Sequence, residues 1–200
     1  CKCTSKISEQ FPDFIKQHQF YGVSILSGTA HLSSFIGALD SLSPGQKLKL
    51  SDIQFEKALI VEPSSESNFQ VHLRPHSDTS YLIESYSKKS ESNFEKHASC
   101  VGMRLVDEDS QDYNFSQLIQ EKSIITDPSA LFPYSTLDAE QGHHYFWFES
   151  IYRTSRGLVA KLRYPDYETE TKGYRFYPGQ MDAANLLGFA LVSSFSTVED

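Results

Sequence analysis

The sequence has no long apolar run, no surplus of basic residues and few cysteines, and each absence excludes a class of protein. No segment approaches the roughly 18 to 20 consecutive apolar residues of a membrane-spanning helix, and the first residues lack the cationic and then apolar pattern of a secretory signal. Lys and Arg total 18 against 26 Asp and Glu, a formal charge of −8 at pH 7. This acidic balance repels phosphate backbones and anionic lipids, so we expect a cytoplasmic protein that binds neither nucleic acid nor a membrane.

Cysteine, glycine and proline are also too scarce to define a special class. Cys1, Cys3 and Cys100 are too few and too unevenly placed for a disulfide scaffold or a zinc site, and we expect Cys100 to be a buried thiol in a strand. Ten glycines and eight prolines exclude collagen-like and low-complexity chains, and 39% hydrophobic residues favour a globular domain. Because the first residue is Cys rather than Met, we expect a domain of a longer chain.

Two segments have the apolar spacing of helices. Apolar residues recur every three or four positions from Gly28 to Leu42, where Ser43-Pro44-Gly45 ends the pattern, and again from Gly179 to Val192. Short β-rich segments, separated by polar breaks, lie at residues 48–61, 69–73, 81–86, 94–105, 144–152 and 158–164. This order predicts two related α+β units that pack together.

A polar stretch separates the two predicted units. The acidic segment at residues 107–113 is followed by a weakly patterned stretch. We therefore predict a single domain over residues 1–200, with an N-terminal unit at 1–106, a linker at 107–130 and a C-terminal unit at 131–200.

Two ionisable residues stand next to the predicted helix starts. His18 precedes a glycine-containing strand that leads into the first helix, whose unpaired N–H groups can polarise a carbonyl oxygen while an imidazole removes a nearby proton. We expect Asp182 in the first turn of the second helix, where a carboxylate is electrostatically favoured. Each also has an ordinary interpretation, because a lone histidine is most often structural and an aspartate at a helix start is commonly only a charge partner.

Sequence motifs connect these two residues to one family. His18, Gly22 and Gly28 have the spacing of the motif HxxxGxxxxP followed by glycine, with Ser27 at the proline position. Residues 50–63 are similar to the strand-pair motif LxDVxFxxPLxLP, and residues 97–102 are similar to the strand motif HAxG.

A fourth motif, HPxLLDA, is matched in part by Tyr177-Pro178 and Asp182-Ala183. With these four motifs in order, the chain resembles the dehydratase domain of modular polyketide synthases over most of its length. The resemblance implies an α+β double hotdog fold, in which each of two hotdog units is a long helix wrapped by an antiparallel sheet. Against a complete family domain, both ends of the chain are short.

The resemblance implies an elimination of water from a β-hydroxyacyl chain. That substrate is carried on the phosphopantetheine arm of an acyl carrier protein. His18 would remove the proton next to the thioester carbonyl, Asp182 would protonate the leaving hydroxyl, and backbone N–H groups around Gly22 and Gly28 would bind the oxyanion. No metal and no organic cofactor is implied. The implied partners are the carrier protein and neighbouring synthase domains, and a homodimer stays open.

The resemblance also implies a substrate tunnel whose wall departs from the family pattern. Ser27 replaces the motif proline, Tyr177 replaces the usual histidine, and Leu186 stands where the family has a polar Gln or His. The predicted lining residues are Tyr21, Ser27, Tyr145, Trp147, Phe148, Tyr177, Pro178 and Leu186. Relatives with such changes act as pyran-forming cyclases or as double-bond isomerases, so both activities stay alternatives to dehydration. A non-catalytic domain that holds an interface or binds acyl chains is a third.

Basic residues cluster in one part of the acidic chain. The cluster consists of Arg153, Arg156, Lys161, Arg163 and Arg175. A solvated face is the ordinary interpretation, but acyl carrier proteins are acidic, so we predict a docking patch at Arg153, Arg156 and Arg163. His143 and His144 are adjacent on a predicted strand and would point to opposite faces, so no metal site is predicted there.

Overall fold

The computed structural model describes most of the chain, namely residues 1–63, 65–90, 93–105, 114–119, 123–125, 139–141, 147–155, 157–165 and 171–196. Its strands are β1 Lys2–Ile7, β2 His18–Phe20, β3 Val23–Leu26, β4 Lys47–Phe55, β5 Leu59–Ile60, β6 Ser67–Pro75, β7 Ser80–Ser90, β8 Asn93–Leu105, β9 Ser123–Ile125, β10 Ala139–Gln141, β11 Phe148–Thr154 and β12 Gly157–Leu162. Its helices are α1 Gly28–Leu42, α2 Phe115–Leu118 and α3 Pro178–Ser196, and a 3-10 turn covers Ile15–Gln17.

The described strands form antiparallel sheets of different sizes. The largest has the order β1-β6-β7-β8-β4, so β6, β7 and β8 form a meander whose neighbours at the two edges come from earlier parts of the chain. A second sheet has the order β10-β2-β3-β5, and a third has the order β12-β11-β9. Most of the hydrogen bonding between strands therefore lies in the first half of the sequence.

Helix α1 forms the core of this first half together with the large sheet. Ser27 caps the helix, because its Oγ accepts a hydrogen bond from the Ala30 N–H at 3.2 Å. Phe35 and Leu39 are fully buried and belong to the same hydrophobic cluster as Ile83 on β7. The helix begins and ends where the sequence predicts it, since both the cap and the Ser-Pro-Gly stop are local signals.

Helix α3 packs against α1 and against β12, which brings the second half of the chain onto the first. Ala183 and Leu186 on α3 lie in the hydrophobic core with Trp147 and Ile151. Pro178 is the first residue of α3, one position before the predicted start. Proline is favoured there because its fixed φ suits a helix and its missing N–H is not needed in the first turn.

The sheets use strands from both sides of the predicted linker at 107–130. Strand β9 lies inside that segment and pairs with β11. Strand β10 lies in the predicted C-terminal unit, yet it pairs with β2, with Gln141 opposite His18. The pairing of β10 with β2 ties the second half of the chain to the strand that carries His18.

The expected architecture of two long helices against antiparallel sheet is confirmed. The prediction of Cys100 as a buried thiol in a strand is also confirmed, and burial raises the pKa of this thiol to about 12. The strand predicted between His18 and the first helix is present as β3, but the sequence pattern did not indicate β1, β2, β9 or β10, because these strands are short or too polar to show an alternating pattern. Within the described residues, no helix is both long and apolar enough to cross a membrane.

The packing of α1 on the sheet requires a glycine at position 102. A Cβ added to Gly102 on β8 would lie 2.5 Å from Ile83 Cδ1 and 3.1 Å from Leu39 Cδ2. We expect Gly102→Val to lower the free energy of unfolding by about 2 kcal/mol, because the added methyl groups overpack this contact. Urea unfolding of the variant and the wild type measures the difference.

Gly37 provides the matched control for this prediction. It lies on the exposed side of α1, where an added Cβ would meet no atom within 4 Å. Gly37→Ala should leave the stability unchanged or raise it by up to about 1 kcal/mol, because alanine costs less conformational entropy in a helix. A Gly102→Val variant as stable as Gly37→Ala would contradict the close packing of α1 on β8.

Candidate functional site

A tight hairpin places His18. Strands β2 and β3 pair with Phe20 opposite Val23, so Tyr21 and Gly22 form a two-residue loop. Both loop residues have positive φ, 52° and 73°, as a type I′ turn requires. Gly22 adopts this conformation without strain, which gives the motif glycine a structural reason.

His18 is buried on β2 with only 8% of its surface exposed. Its Nδ1 lies 2.9 Å from the carbonyl oxygen of Ile25 on β3. A carbonyl oxygen can only accept, so Nδ1 carries the proton, and in the neutral ring the lone pair is on Nε2. The Phe20 ring meets the imidazole edge to face at 5.2 Å between centroids. The imidazole is thus held in the tautomer that suits a base acting through Nε2.

The N-terminus of α1 lies directly after β3. The Ala30 and His31 N–H groups bond to the Ser27 carbonyl oxygen, so the N–H groups of Gly28 and Thr29 precede the first hydrogen bonds of the helix. Such N–H groups, together with the helix dipole, favour a negatively charged oxygen. A Cβ on Gly28 would lie only 3.0 Å from the Phe55 ring, so Phe55 packs over this end of the helix.

Asp182 reaches the same place from α3. Because α3 begins at Pro178, Asp182 lies in its second turn, and the expectation of a first-turn carboxylate is wrong. The Asp182 side chain is half-buried, and its Oδ1 accepts a hydrogen bond from Thr29 Oγ1 at 3.5 Å. The carboxylate therefore faces the first turn of α1 rather than capping its own helix.

The segment Ile25–Thr29 thus connects the two predicted catalytic residues. Its first residue accepts the hydrogen bond of His18, and its last donates to Asp182. The two residues are 164 positions apart in sequence, yet each is bonded to this five-residue segment. An imidazole and a carboxylate are thus bonded to the two ends of a segment that begins a helix, and these are the group types of a proton-transfer site with an oxyanion binder.

The predicted tunnel residues lie in different environments. Trp147 and Tyr177 are buried and pack on each other at 5.4 Å between ring centroids, and Phe14 also meets Tyr177 at 6.0 Å. Ser27, Phe148, Pro178 and Leu186 are buried, and Tyr21 is exposed in the hairpin turn. Tyr145 lies outside the described residues.

Two cavities flank the contact between α1 and α3. One has a volume of about 330 Å³ and is lined by Leu32, Ile36, Leu48, Leu50, Ile53, Arg175, Phe176 and Met181. The other has a volume of about 280 Å³ and lies between β1, residues 11–14, α1 and Pro178. Neither is lined by His18 or Asp182, although Leu26 of the segment that holds these two residues lines the second cavity.

Only some residues of the predicted basic patch are available to dock a partner. The Arg163 guanidinium stacks on the Trp147 ring at 3.8 Å, and Lys161 is paired with Glu149 at 2.6 Å. Arg175 is paired with Asp40. Arg153 is exposed on β11, and Arg156 lies outside the described residues. Among the described residues, no group of three or more His, Cys, Asp and Glu side chains could hold a metal ion.

Two further histidines are buried between α1 and the large sheet. His97 is hydrogen-bonded through Nδ1 to the Lys57 carbonyl oxygen at 3.0 Å and through Nε2 to Ser87 Oγ at 2.8 Å. His31 Nδ1 lies 2.9 Å from Ser85 Oγ. The two rings are 6.2 Å apart. Burial first, and then the neighbouring His97, lower the pKa of His31 to about 3.

This buried histidine makes stability depend on pH. The pKa of His31 is about 3 in the folded chain and about 6.5 in the unfolded chain, so the unfolded state takes up the proton first as the pH falls. The contribution of neutral His31 is therefore complete above about pH 6.5 and is lost towards pH 3, at up to about 1.4 kcal/mol per pH unit. Urea unfolding from pH 7 to pH 4 measures this slope.

Glutamine does not titrate, so His31→Gln should reduce the slope of unfolding free energy against pH by about 1.4 kcal/mol per pH unit, the contribution of one proton. His76→Gln is the matched control, because His76 is exposed in the turn between β6 and β7. A slope that is the same in wild type and His31→Gln would contradict a neutral buried His31.

Sequence reasoning missed two residues at this site. Thr29 contacts Asp182 across 153 sequence positions, and Phe55 packs over Gly28. The only local signal for Thr29 is its place two residues after the helix cap. Phe55 occupies the phenylalanine position of the motif at residues 50–63, but the motif does not indicate its contact with Gly28. Phe55 follows the bulge in β4 between Ser51 and Gln54, where Asp52 has a φ of 51°.

Comparison with known proteins gives a family match for the first part of the chain. Residues 1–88 match the family model described as the polyketide synthase dehydratase domain. No curated protein matches the sequence.

Solved structures match nearly the whole chain. An inactive mutant of the CurK dehydratase, with a histidine-to-phenylalanine change, is 16% identical with a TM-score of 0.85, over 98% of this chain and 71% of that one. An inactive aspartate-to-asparagine mutant of the same dehydratase is 16% identical with a TM-score of 0.85, over 98% and 72%. The dehydratase domain of the polyketide PpsC from Mycobacterium tuberculosis is 16% identical with a TM-score of 0.77, over 98% and 70%.

These matches confirm the resemblance that the motifs indicate. The chain has the hotdog fold of polyketide synthase dehydratase domains, and its first 88 residues also match the sequence model of that family. The chain spans about 71% of the CurK dehydratase chain.

Proposed function

We propose that this chain is a dehydratase-type domain that removes water from a β-hydroxyacyl thioester carried by an acyl carrier protein. The observation that carries the proposal is the bonding of His18 and Asp182 to the same short segment at the start of α1. A base, an acid and a helix N-terminus are the three groups that this elimination needs. The family match of residues 1–88 supports the substrate class.

In this mechanism, His18 is the base. Its Nδ1–H is engaged by the Ile25 carbonyl, so Nε2 accepts the proton from the carbon next to the thioester carbonyl. The Ile25 carbonyl also stabilises the imidazolium that results, because it bonds to the charged ring as well as to the neutral one. The electron pair of the broken C–H bond moves towards the carbonyl, which becomes enolate-like.

The start of α1 stabilises that negative charge. The N–H groups of Gly28 and Thr29 precede the first helical hydrogen bonds. In the proposed mechanism they donate to the thioester oxygen. Donors fixed before the reaction cost no reorganisation when the charge develops, and one such donor is worth about 3 kcal/mol in enzymes of known mechanism.

Asp182 completes the elimination as the acid. Its carboxyl proton passes to the β-hydroxyl, the C–O bond breaks, and water leaves as the carbon–carbon double bond forms. The proton taken by His18 then returns to Asp182, so both groups recover their starting states. The reaction consumes no oxidant, reductant or external proton.

The similar solved structures support this pair of roles. The two CurK dehydratase variants described as inactive mutants have changes at a histidine and at an aspartate. A dependence of activity on one histidine and one aspartate is what the proposed mechanism requires of His18 and Asp182.

Mass spectrometry of a carrier-bound 3-hydroxyacyl thioester tests the proposal directly. The wild type should convert the substrate to a product lighter by one water. His18→Ala and Asp182→Asn should each lower the rate at least about 100-fold, because general acid–base catalysis contributes roughly that much or more.

Exposed residues of the same types provide the controls. His76→Ala and Asp78→Asn change an imidazole and a carboxylate in the turn between β6 and β7, and they should leave the rate unchanged. An unchanged mass with wild-type protein would contradict dehydration. Chromatography of enoyl and hydroxy-enoyl substrates would then detect isomerisation or ring closure, since both conserve mass.

We also propose that Arg153 helps to dock the acidic carrier protein. Arg153 is exposed on β11, whereas Arg163 is stacked on Trp147 and Lys161 is paired with Glu149. Charge reversal at Arg153 therefore changes the surface without removing an aromatic contact of the core. The acidic surface of a carrier protein would lose an attraction and gain a repulsion.

We expect Arg153→Glu to raise the KM for a carrier-bound substrate about fivefold and to leave turnover of a small-molecule thioester unchanged. Lys49→Glu, at an exposed lysine of β4, is the control and should change neither value. Steady-state kinetics with both substrates measures the difference. Equal KM values for the wild type and Arg153→Glu would contradict docking at this surface.

A further inference from the structure

Two hydroxyl groups at the start of α1, those of the cap residue Ser27 and of Thr29, form a chain of contacts to the Asp182 carboxylate. Thr29 Oγ1 lies 3.5 Å from Asp182 Oδ1 and 2.9 Å from Ser27 Oγ. Ser27 Oγ also accepts the Ala30 N–H at 3.2 Å. Ser27 and Thr29 are only 1% and 2% exposed, so bulk water does not compete for these hydroxyl groups.

We propose that Thr29, held by Ser27, is a positioning residue that keeps the Asp182 carboxyl in place in both of its protonation states. The inference rests on the proposed dehydration, in which Asp182 must lose a proton and regain it. A partner that can only donate would favour the carboxylate, and one that can only accept would favour the acid. A hydroxyl group can do either.

When Asp182 is ionised, each hydrogen-bond donor of Thr29, Ser27 and Ala30 has an acceptor. Thr29 donates its proton to Oδ1, and its own oxygen accepts the proton of Ser27. Ser27 in turn accepts the Ala30 N–H on a lone pair. Each hydroxyl proton and the Ala30 N–H then has an acceptor.

When Asp182 is protonated, the hydrogen bonds between these groups reverse direction, and the Ser27 hydroxyl proton no longer has an acceptor among them. The carboxyl O–H donates to Thr29 Oγ1, and Thr29 turns to donate to Ser27 Oγ. Ser27 Oγ still accepts the Ala30 N–H on its second lone pair. The heavy atoms do not have to move between the two states, because only the hydroxyl protons rotate.

The sequence of α3 explains why this support comes from α1. The residue one turn after Asp182 is Leu186, which is 9% exposed and offers no hydrogen-bonding group. Since α3 packs against α1, the first turn of α1 is the neighbouring source of hydroxyl groups. Thr29 is therefore a residue on which the orientation of Asp182 depends.

Steady-state kinetics of two Thr29 variants tests the role. Thr29→Val keeps the shape of the side chain and removes the hydroxyl, so we expect kcat to fall about tenfold, as for loss of a hydrogen bond to a charged group, with KM changed less than about twofold. Thr29→Ser retains the hydroxyl and should keep kcat within about threefold of the wild type.

Ser41→Ala is the matched control on the same helix. Its hydroxyl bonds the Ala38 carbonyl oxygen near the other end of α1, so its loss should leave kcat unchanged. A structural role of Thr29 in packing alone predicts that Thr29→Val, which preserves the packed shape, is as active as Ser41→Ala. That result, or a Thr29→Ser variant as impaired as Thr29→Val, would overturn the proposal.

A measurement without substrate separates this inference from the proposed function. The ¹³C resonance of the Asp182 carboxyl, assigned by its loss in Asp182→Asn, reports the environment of that group directly. We expect it to shift in Thr29→Val and to stay in place in Ser41→Ala. A wild-type chain without turnover would contradict dehydration, and an unshifted resonance in Thr29→Val would contradict the positioning role.

Discussion

The site depends on the junction between β3 and α1, residues 25–29. At this junction the backbone changes from a strand to a helix, so a carbonyl group and helix N–H groups come close together within a few residues. The Ile25 carbonyl oxygen fixes the tautomer of His18, and the Thr29 hydroxyl contacts Asp182. Ser27 holds the junction by capping the helix. Because each functional group is bonded to this segment, a shift of α1 along its axis would disturb all of them together.

The position of α1 is in turn fixed by the large sheet. Phe35 and Leu39 are fully buried, and Gly102 on β8 permits the helix to approach closely. The buried histidines His31 and His97 add polar contacts to this interface, and they are bonded to Ser85 and Ser87 on β7. Such a network is favourable when each member has a partner, and it selects one position of the helix more sharply than apolar packing alone. The geometry of the candidate site therefore depends on packing on the opposite side of α1.

The part of this arrangement that could be predicted from the sequence is the part encoded locally. The bounds of α1 follow from the cap at Ser27 and from the stop after Leu42, and His18 was identified by its spacing to glycines. Contacts between segments that are far apart in the sequence produce no periodic pattern of residues, so they could not be predicted. The pairing of β10 with β2 joins residues about 120 positions apart, and the bond from Thr29 to Asp182 spans 153. The prediction that Asp182 lies in the first turn of α3 was wrong. The helix begins at Pro178, so Asp182 is its fifth residue and lies in the second turn.

Ser27 shows how a departure from a motif can preserve geometry and change chemistry. Proline holds φ near −65°, and Ser27 adopts a φ of −64° with a ψ of 153°. The serine thus takes the backbone conformation that a proline would impose. Its hydroxyl, which proline lacks, accepts the Ala30 N–H and lies 2.9 Å from Thr29 Oγ1. Where α3 presents the apolar Leu186 one turn after Asp182, this additional hydroxyl supports a hydrogen bond to the carboxyl from the other helix. In the role proposed for Thr29, Ser27 adds a hydroxyl group at the start of α1, whereas Leu186 adds no polar group on α3.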